Sequence, residues 1–294
     1  MGRDRKRKHP GKSYGSYVAT DSSAPPSTFR ATVAYDGKAF MGFQAQDKTP
    51  PVRTVQAVLE DAVKRTTGES VRIRGASRTD KGVHARGQVI SFESTVVDDS
   101  TFLRAINTRL PDDVAVVALA KVSSAFDPRK DSTCKCYSYR IYNGAIRQVL
   151  GRELAWQVAK PLDVAAMQAA AVEFISDAPR DCSALTPTRR LEEDASTMCH
   201  VVSAEVETAG DEVHITFKGD RFLYRMVRNM VGILVDVGLH KKSRTDVAAI
   251  VQSSERVETG GAPPHGLVLE WIQYLDETSA ASTPPSSSLD QDNN

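Results

Sequence analysis

The chain has 294 residues, 40% of them hydrophobic, which is enough for one large folded domain or two of ordinary size. Its 38 basic and 37 acidic side chains leave a net charge of only +1, so any attraction for a polyanion must come from local patches. There is no apolar run of membrane-spanning length and no hydrophobic signal-peptide core near the amino terminus. We therefore expect no membrane partner.

The two ends of the chain are poor in apolar residues and rich in Ser, Pro, Thr and Asp. This composition predicts a disordered leader over residues 1–28 and a disordered tail over 277–294. The leader is basic, which leaves a nuclear or organellar address, an RNA-touching arm or a solvated tail as alternatives. Without such an address we expect a cytoplasmic protein.

The first half of the folded body shows alternating and helical apolar patterns in a definite order. They predict strand 29–35, a helix from 54 to 68, strands 71–74 and 87–92, helix 100–110 and strand 114–122. The order is βαββαβ, the ferredoxin-like unit, with an antiparallel sheet and helices on one face.

The second half repeats that order. The patterns predict strand 137–142, helix 162–175, a hairpin of strands 201–207 and 213–218, a long helix 221–238, a short helix 245–252 and strand 267–275. The predicted fold class is therefore α+β, with two ferredoxin-like domains, 29–125 and 126–276. Their antiparallel sheets are expected to lie around a basic cleft.

Asp80 stands in the loop between two predicted strands, in the segment Gly75-Ala-Ser-Arg-Thr-Asp-Lys-Gly-Val-His84. Five cations surround it in sequence: Arg72, Arg74, Arg78, Lys81 and Arg86. Cations gather a polyanion, whereas an ionised acid among them repels it, so a chemical task for the acid would explain its presence. The alternative is that residues 79–82 only form a tight turn, which Asp and Gly favour.

A second basic constellation lies on the predicted long helix. Arg221, Arg225 and Arg228 have the i, i+4, i+7 spacing of a single helical stripe. Such a stripe can be a solvated face, a phosphate track or a source of a partner for Asp80. Tyr137, at the start of the second half, can fill the core or stack on a base.

The four cysteines, Cys134, Cys136, Cys182 and Cys199, contain no Cys-x-x-Cys pair and suggest a reducing compartment. Cys182 with Cys199-His200 lacks the spacing of a zinc module, so we expect no metal site.

Taken together, these residues resemble the pseudouridine synthases of the bacterial tRNA pseudouridine synthase A family. The resemblance covers about residues 30 to 275 and centres on Arg78-Thr-Asp-x-Gly-Val-His84 followed by Gly87-Gln88. The further matching motifs are Tyr35-Asp-Gly37, Gly42-Phe-Gln44, Thr54-Val-Gln56, Asn107 with Leu110-Pro111, Tyr137 with Tyr142-Asn143, and Met226-Val-Arg-Asn229 with Val231-Gly232. The sequence departs from the bacterial pattern at Ser77 and Lys81, where smaller residues are usual.

The resemblance implies an enzyme that converts uridine to pseudouridine at positions 38 to 40 of the tRNA anticodon arm, without metal or cofactor, and commonly as a homodimer. It implies that Asp80 is the essential catalytic aspartate and that Arg78 flips or holds the target nucleotide. It also makes Tyr137 the active-site tyrosine and Arg228 the partner of Asp80. His84 is expected to shape the loop. We place Arg72, Arg74, Lys81, Arg86, Arg221 and Arg225 in RNA binding.

Two other functions compete with this one. A noncatalytic tRNA-binding or tRNA-folding protein could use the same cleft, although the joint presence of Asp80, Tyr137 and Arg228 argues for catalysis. An RRM-like binding module would need closely spaced aromatic residues of the RNP1 type, and the sequence lacks them.

Overall fold

A computed structural model describes residues 18–187, 196–253, 255 and 260–275. The fold is α+β, as predicted, with a large, mostly antiparallel sheet. Its strands are β1 (Ser27–Tyr35), β2 (Arg74–Gly75), β3 (His84–Ser94), β4 (Val114–Val122), β5 (Ser132–Tyr142), β6 (Trp156–Gln157), β9 (Val201–Ala209), β10 (Glu212–Gly219) and β11 (Leu267–Tyr274). A separate small pair consists of β7 (Arg180–Asp181) and β8 (Met198–Cys199). The helices are α1 (Val55–Thr67), α2 (Asp99–Asn107), α3 (Val164–Ala171), α4 (Met226–Gly238) and α5 (Arg244–Gln252).

In the first half the strands lie in the order β4, β1, β3, and β2 pairs with the far side of β3. Helix α1 begins and ends where its sequence signals predict, because Thr54 accepts a hydrogen bond from Ala57 N and Gly68 closes the helix in the left-handed conformation. The stacked rings of Phe29 and Phe92 meet the edge of Phe102 from α2, which anchors that helix on the sheet.

The second half has the order β11, β5, β10, β9. Helix α3 is capped by Asp163, whose carboxylate accepts from Ala166 N at 2.9 Å. It packs on β9 and α4, and the rings of Phe174 and Phe217 meet edge to face beneath it. The predicted hairpin turns at Gly210, as expected.

One continuous sheet joins the two halves. Strand β11 runs parallel to β3 through the pairs Val268↔His84 and Leu269↔Ala85, and antiparallel to β5 on its other side. Strand β2 covers the opposite end of the same β3 edge, at Ser91 and Ile90. We expected one sheet in each half, on either side of residues 125 and 126. The structure instead has one sheet that runs through both halves.

Three predicted elements differ from the structure. The predicted helix 162–175 is shorter, because α3 ends at Ala171 and a 3-10 turn follows over Val172–Phe174. Residues 71–73 do not form a strand, because side chains of α1 bind the backbone there: Glu60 accepts from Ile73 N, and Gln56 donates to Ile73 O. The long helix begins at Met226, not at residue 221. Arg225 precedes it with φ of 58° and no side-chain cap, so the predicted arginine stripe on one helix is wrong.

Ordered contacts begin before residue 29, since Val18 N bonds to Thr66 O and Thr20 bridges Val96. The predicted leader up to residue 17 and the tail lie outside the described residues. Among the helices that the structure describes, none is long and apolar enough to cross a membrane.

Candidate active site

Strand β11 brings the distant site segments together. Its Leu269 pairs with Ala85 of β3 on one side and with Tyr137 of β5 on the other. Residues that are far apart in sequence therefore become neighbours across three strands. The loop before β3, which carries Asp80, faces the strand that carries Tyr137 and the start of α4.

Asp80 and Arg228 form the ion pair that the sequence predicts. Arg228 Nη1 lies 3.1 Å from Asp80 Oδ2, and the two side chains are only 12% and 18% exposed, respectively. Arg228 is fixed by two further bonds, from its Nε to Ala262 O at 2.7 Å and from Ala262 N to its own carbonyl at 2.9 Å. The ion pair and these two bonds fix the orientation of the Asp80 carboxylate beside the guanidinium.

Tyr137 lies beside this pair and is 6% exposed. Its hydroxyl shares a 2.7 Å hydrogen bond with Ser77 Oγ, and its ring meets the edge of Phe222 at 5.4 Å. Burial, with a smaller contribution from the negative charge of Asp80, raises the pKa of Tyr137 to about 12. The phenol therefore keeps its proton at neutral pH.

A buried polar network holds the loop that carries Asp80. The side-chain amide of Gln88 donates to Ser77 O at 2.6 Å and accepts from Ser77 N at 3.2 Å. It thus satisfies both backbone groups of a loop residue that has no neighbouring strand to pair with. Gln88 also reaches Tyr35, whose hydroxyl shares a 2.7 Å bond with Thr79. Burial raises the pKa of Tyr35 far above its usual value, so the network stays uncharged.

The motifs Tyr35-Asp-Gly37 and Gly42-Phe-Gln44 pack against the backbone of the same loop. Phe43 N bonds to Thr79 O at 3.1 Å. Gly42 has φ of 104°, and a Cβ there would lie 3.1 Å from Thr79 O, so glycine permits both the backbone conformation and the close approach. A Cβ on Gly37 would collide with the carbonyl of Val83.

His84 helps to shape the loop. Its Nδ1 accepts from Gly37 N at 3.1 Å, and it lies 3.0 Å from a carboxylate oxygen of Asp36. Burial lowers the pKa of His84, so the ring is neutral and ties the loop to the turn after β1.

The other cations of the signature segment surround the site with different partners. Arg78, Lys81 and Arg74 are exposed, whereas Arg72 lies 3.7 Å from Glu60. Arg86 makes two 2.9 Å bonds to Glu270, which leaves its charge largely compensated.

Arg221 and Arg225 lie in the segment before α4 instead of on it. Asp220 accepts from Arg221 N at 2.6 Å and from His200 N at 2.7 Å, which holds this segment away from helical geometry. Arg225 is exposed, and its guanidinium lies 5.2 Å from the centre of the Tyr224 ring. Both arginines are close in sequence to Arg228, but neither lies on the helix that carries it.

Sequence reasoning missed Lys135. This residue of β5 is 7% exposed, and its ammonium donates to Ala76 O at 3.1 Å, next to the residue that binds Tyr137. The available signal was its position two residues before Tyr137, which places both side chains on one face of the strand.

The arrangement can hold an ionised carboxylate against a buried cation and a neutral phenol, at a surface bordered by exposed cations. It suits an enzyme that acts on a polyanion and uses one carboxylate in the reaction. Among the residues that the structure describes, no three His, Cys, Asp or Glu side chains form a group able to hold a metal ion.

Comparison with known proteins identifies the family. The family model of tRNA pseudouridine synthases matches residues 31–129 and 180–275. The chain is 38% identical to tRNA pseudouridine synthase A of Myxococcus xanthus, over 90% of this chain and 98% of that protein. It is 39% identical to tRNA pseudouridine synthase A of Brevibacillus brevis, over 83% of this chain and 98% of the relative. This chain belongs to the tRNA pseudouridine synthase family, as its sequence motifs indicated.

We expect Gln88→Leu to destabilise the protein. The substitution leaves Ser77 N and Ser77 O without their partner in a largely buried place, which costs about 1–3 kcal/mol for each lost bond. Gln46→Leu is the matched control, because Gln46 is exposed and its side chain makes one bond, to Met41 O. Urea denaturation measures the free energy of unfolding, and equal values for the two variants would contradict the supporting role of Gln88.

Proposed function

We propose that this protein isomerises uridine to pseudouridine in tRNA, at positions 38 to 40 of the anticodon stem-loop. The observation that carries the proposal is the Asp80–Arg228 ion pair beside Tyr137, in a loop that also carries the exposed cations Arg78 and Lys81. The names of the relatives support tRNA as the substrate. The loop and the cations fit a substrate whose phosphates are gathered around one reactive nucleotide.

The reaction breaks the bond between uracil N1 and ribose C1′, turns the base and joins C5 to C1′, after which C5 loses its proton to solvent and N1 carries one instead. The nucleotide must first leave the helical stack. In our proposal Asp80 acts on the ribose. It either attacks C1′ to form an ester that the base later displaces, or removes a ribose proton on a glycal path. Either route uses the carboxylate of Asp80, which the guanidinium of Arg228 orients.

Tyr137 and Arg78 have supporting roles in this proposal. Tyr137 keeps its proton, since its pKa is raised to about 12, so the resting side chain serves as a packing surface and hydrogen-bonding group for the base rather than as a phenolate. Arg78 is exposed two residues before Asp80, where its guanidinium can hold the flipped nucleotide. The substrate and product are isomers, and no step of the proposal calls for a metal or cofactor.

Asp80→Asn should abolish turnover while tRNA affinity stays within about severalfold of the wild type, because no cation that can contact phosphate is removed. Tritium release from tRNA labelled at uracil C5, followed by mapping of the modified sites, measures the reaction. Filter binding measures the affinity.

Asp61→Asn is the control, since Asp61 is an exposed carboxylate on α1 that lies 3.5 Å from Arg65. We expect this variant to retain full activity. Absence of tritium release from folded wild-type protein across a whole-tRNA pool would instead favour the noncatalytic tRNA-binding function. Loss of binding in step with activity in Asp80→Asn would contradict the catalytic role of Asp80.

Arg225→Ala or Arg221→Ala should weaken tRNA binding and reduce the slope of log affinity against log salt by about 1 for each lost phosphate contact. Arg244→Ala is the control, because Arg244 is similarly charged and exposed but binds Glu173 at 2.6 Å. Affinities at several salt concentrations give the slopes. A slope as steep as that of the wild type would assign the two arginines a structural role only.

The architecture and assembly complete the proposal. The strand orders β4, β1, β3, β2 and β11, β5, β10, β9 support two ferredoxin-like halves that share one sheet. We also propose a homodimer, for which the exposed apolar side chains of Ile146, Val149 and Leu150 provide a candidate surface.

Light scattering should give a mass of twice the 32.0 kDa chain. The double variant Ile146→Glu and Leu150→Glu should shift that mass toward the monomer, because it places charges in the candidate interface. Val202→Glu, at a half-exposed apolar residue of β9, serves as the control. An unchanged dimer in the double variant would exclude this surface.

A further inference from the structure

Lys135 is a buried cation in an unusual place. Its ammonium is removed from water and donates to a neutral carbonyl, Ala76 O at 3.1 Å. Burial of a charged amine is costly unless strong partners compensate, and a neutral carbonyl compensates less than a carboxylate does. Ionisable groups with such an unfavourable burial cluster at functional sites, so Lys135 is a candidate for a functional role in this one.

The surroundings of Lys135 connect it to the catalytic loop. Lys135 and Tyr137 project from the same face of β5, and they bind two consecutive loop residues, Ala76 and Ser77. Asp80 follows three residues after Ser77 in the same loop. The two side chains therefore act as a two-point attachment between β5 and the segment that carries the carboxylate.

We propose that the charged ammonium of Lys135 is a positioning group for the isomerisation, which holds the Asp80 loop at the distance from Tyr137 that the reaction requires. It acts through Ala76 O and does not touch the substrate. This inference rests on the proposed function, because it assigns a further residue to the same site. It also predicts that the reaction depends on the ionisation of Lys135.

The charged groups around Lys135 explain why it can ionise near physiological pH. Burial, with the positive charges of Arg129 and Arg221, lowers the pKa of Lys135 to about 8, while Asp220 opposes the shift. The neighbouring thiol of Cys199 has its pKa raised far above the usual range and stays neutral. Lys135 is thus charged below about pH 8 and loses its charge as the pH rises through that value.

Steady-state kinetics between pH 6.5 and 9.5, on the intact protein with tRNA labelled at uracil C5, test the proposal. We expect kcat of the wild type to fall on the alkaline side with an apparent pKa of about 8. Lys135→Arg should move this fall to higher pH, because a guanidinium stays charged throughout the range. Lys135→Met should lower kcat by about tenfold or more at pH 7, with KM within about threefold and no alkaline fall.

Two controls separate this effect from others. Lys121→Met removes a lysine of β4 that also donates to a backbone carbonyl, Val97 O at 3.2 Å, and should behave as the wild type. Cys182→Ser tests a nearby thiol, since a hydrogen bond from Cys199 lowers the pKa of the Cys182 thiol. This variant should keep the alkaline fall of the wild type.

An alkaline fall in Lys135→Arg with the wild-type midpoint, or wild-type kcat in folded Lys135→Met, would overturn the proposal. A second readout does not depend on activity. Amide hydrogen exchange of the loop over residues 75–82 should be faster in Lys135→Met than in Lys121→Met, and equal rates would also count against the attachment.

Carbon NMR of labelled lysine side chains should give Lys135 a pKa of about 8, with the resonance assigned by its loss in Lys135→Arg. A value near that of a free lysine would exclude the ionisation that we infer. If the wild type releases no tritium at any pH, the proposed isomerase fails, whereas the exchange and NMR results still decide whether Lys135 holds the loop in its charged form.

Discussion

The pairing of β11 with both β3 and β5 is the constraint on which the rest of the structure depends. One strand from the end of the chain lies between the strand that follows the Asp80 loop and the strand that carries Tyr137. Backbone hydrogen bonds on both sides fix the separation and register of the two halves. The segment just before β11 supplies Ala262, which holds Arg228 by its side chain and its backbone. The position of Arg228 in the ion pair therefore depends on the same segment of chain that joins the two halves of the sheet.

The site separates buried charges from exposed ones. Asp80 and Arg228 are mostly buried and pair with each other, whereas Arg78, Lys81 and Arg225 are exposed. A buried ion pair recovers its desolvation cost only when geometry and additional hydrogen bonds are good, and the two bonds of Arg228 to Ala262 supply them. Exposed cations contribute attraction that salt screens. Binding and chemistry can thus respond differently to ionic strength.

Neutral polar groups support this charged centre. Gln88, Tyr35, Thr79, Ser77 and Tyr137 form a hydrogen-bonded network that fixes the loop without adding charge near Asp80. Within this network the hydroxyl of Ser77 is the group that Tyr137 binds. In this chain the loop and the tyrosine therefore share a direct hydrogen bond that a residue without a hydroxyl would not provide.

The sequence by itself determined the order of most elements, because apolar periodicity and local signals such as Thr54, Gly68 and Asp163 act over a few residues. Its motifs also determined the family, and the predicted partner of Asp80 was correct. Tertiary contacts decided the rest. The segment 221–225 has helical spacing, but Asp220 binds its first backbone amide and Phe222 packs on Tyr137, so the helix starts later. The bond from Lys135 to Ala76 O and the single sheet were likewise decided by tertiary structure, since both join residues that lie far apart along the chain.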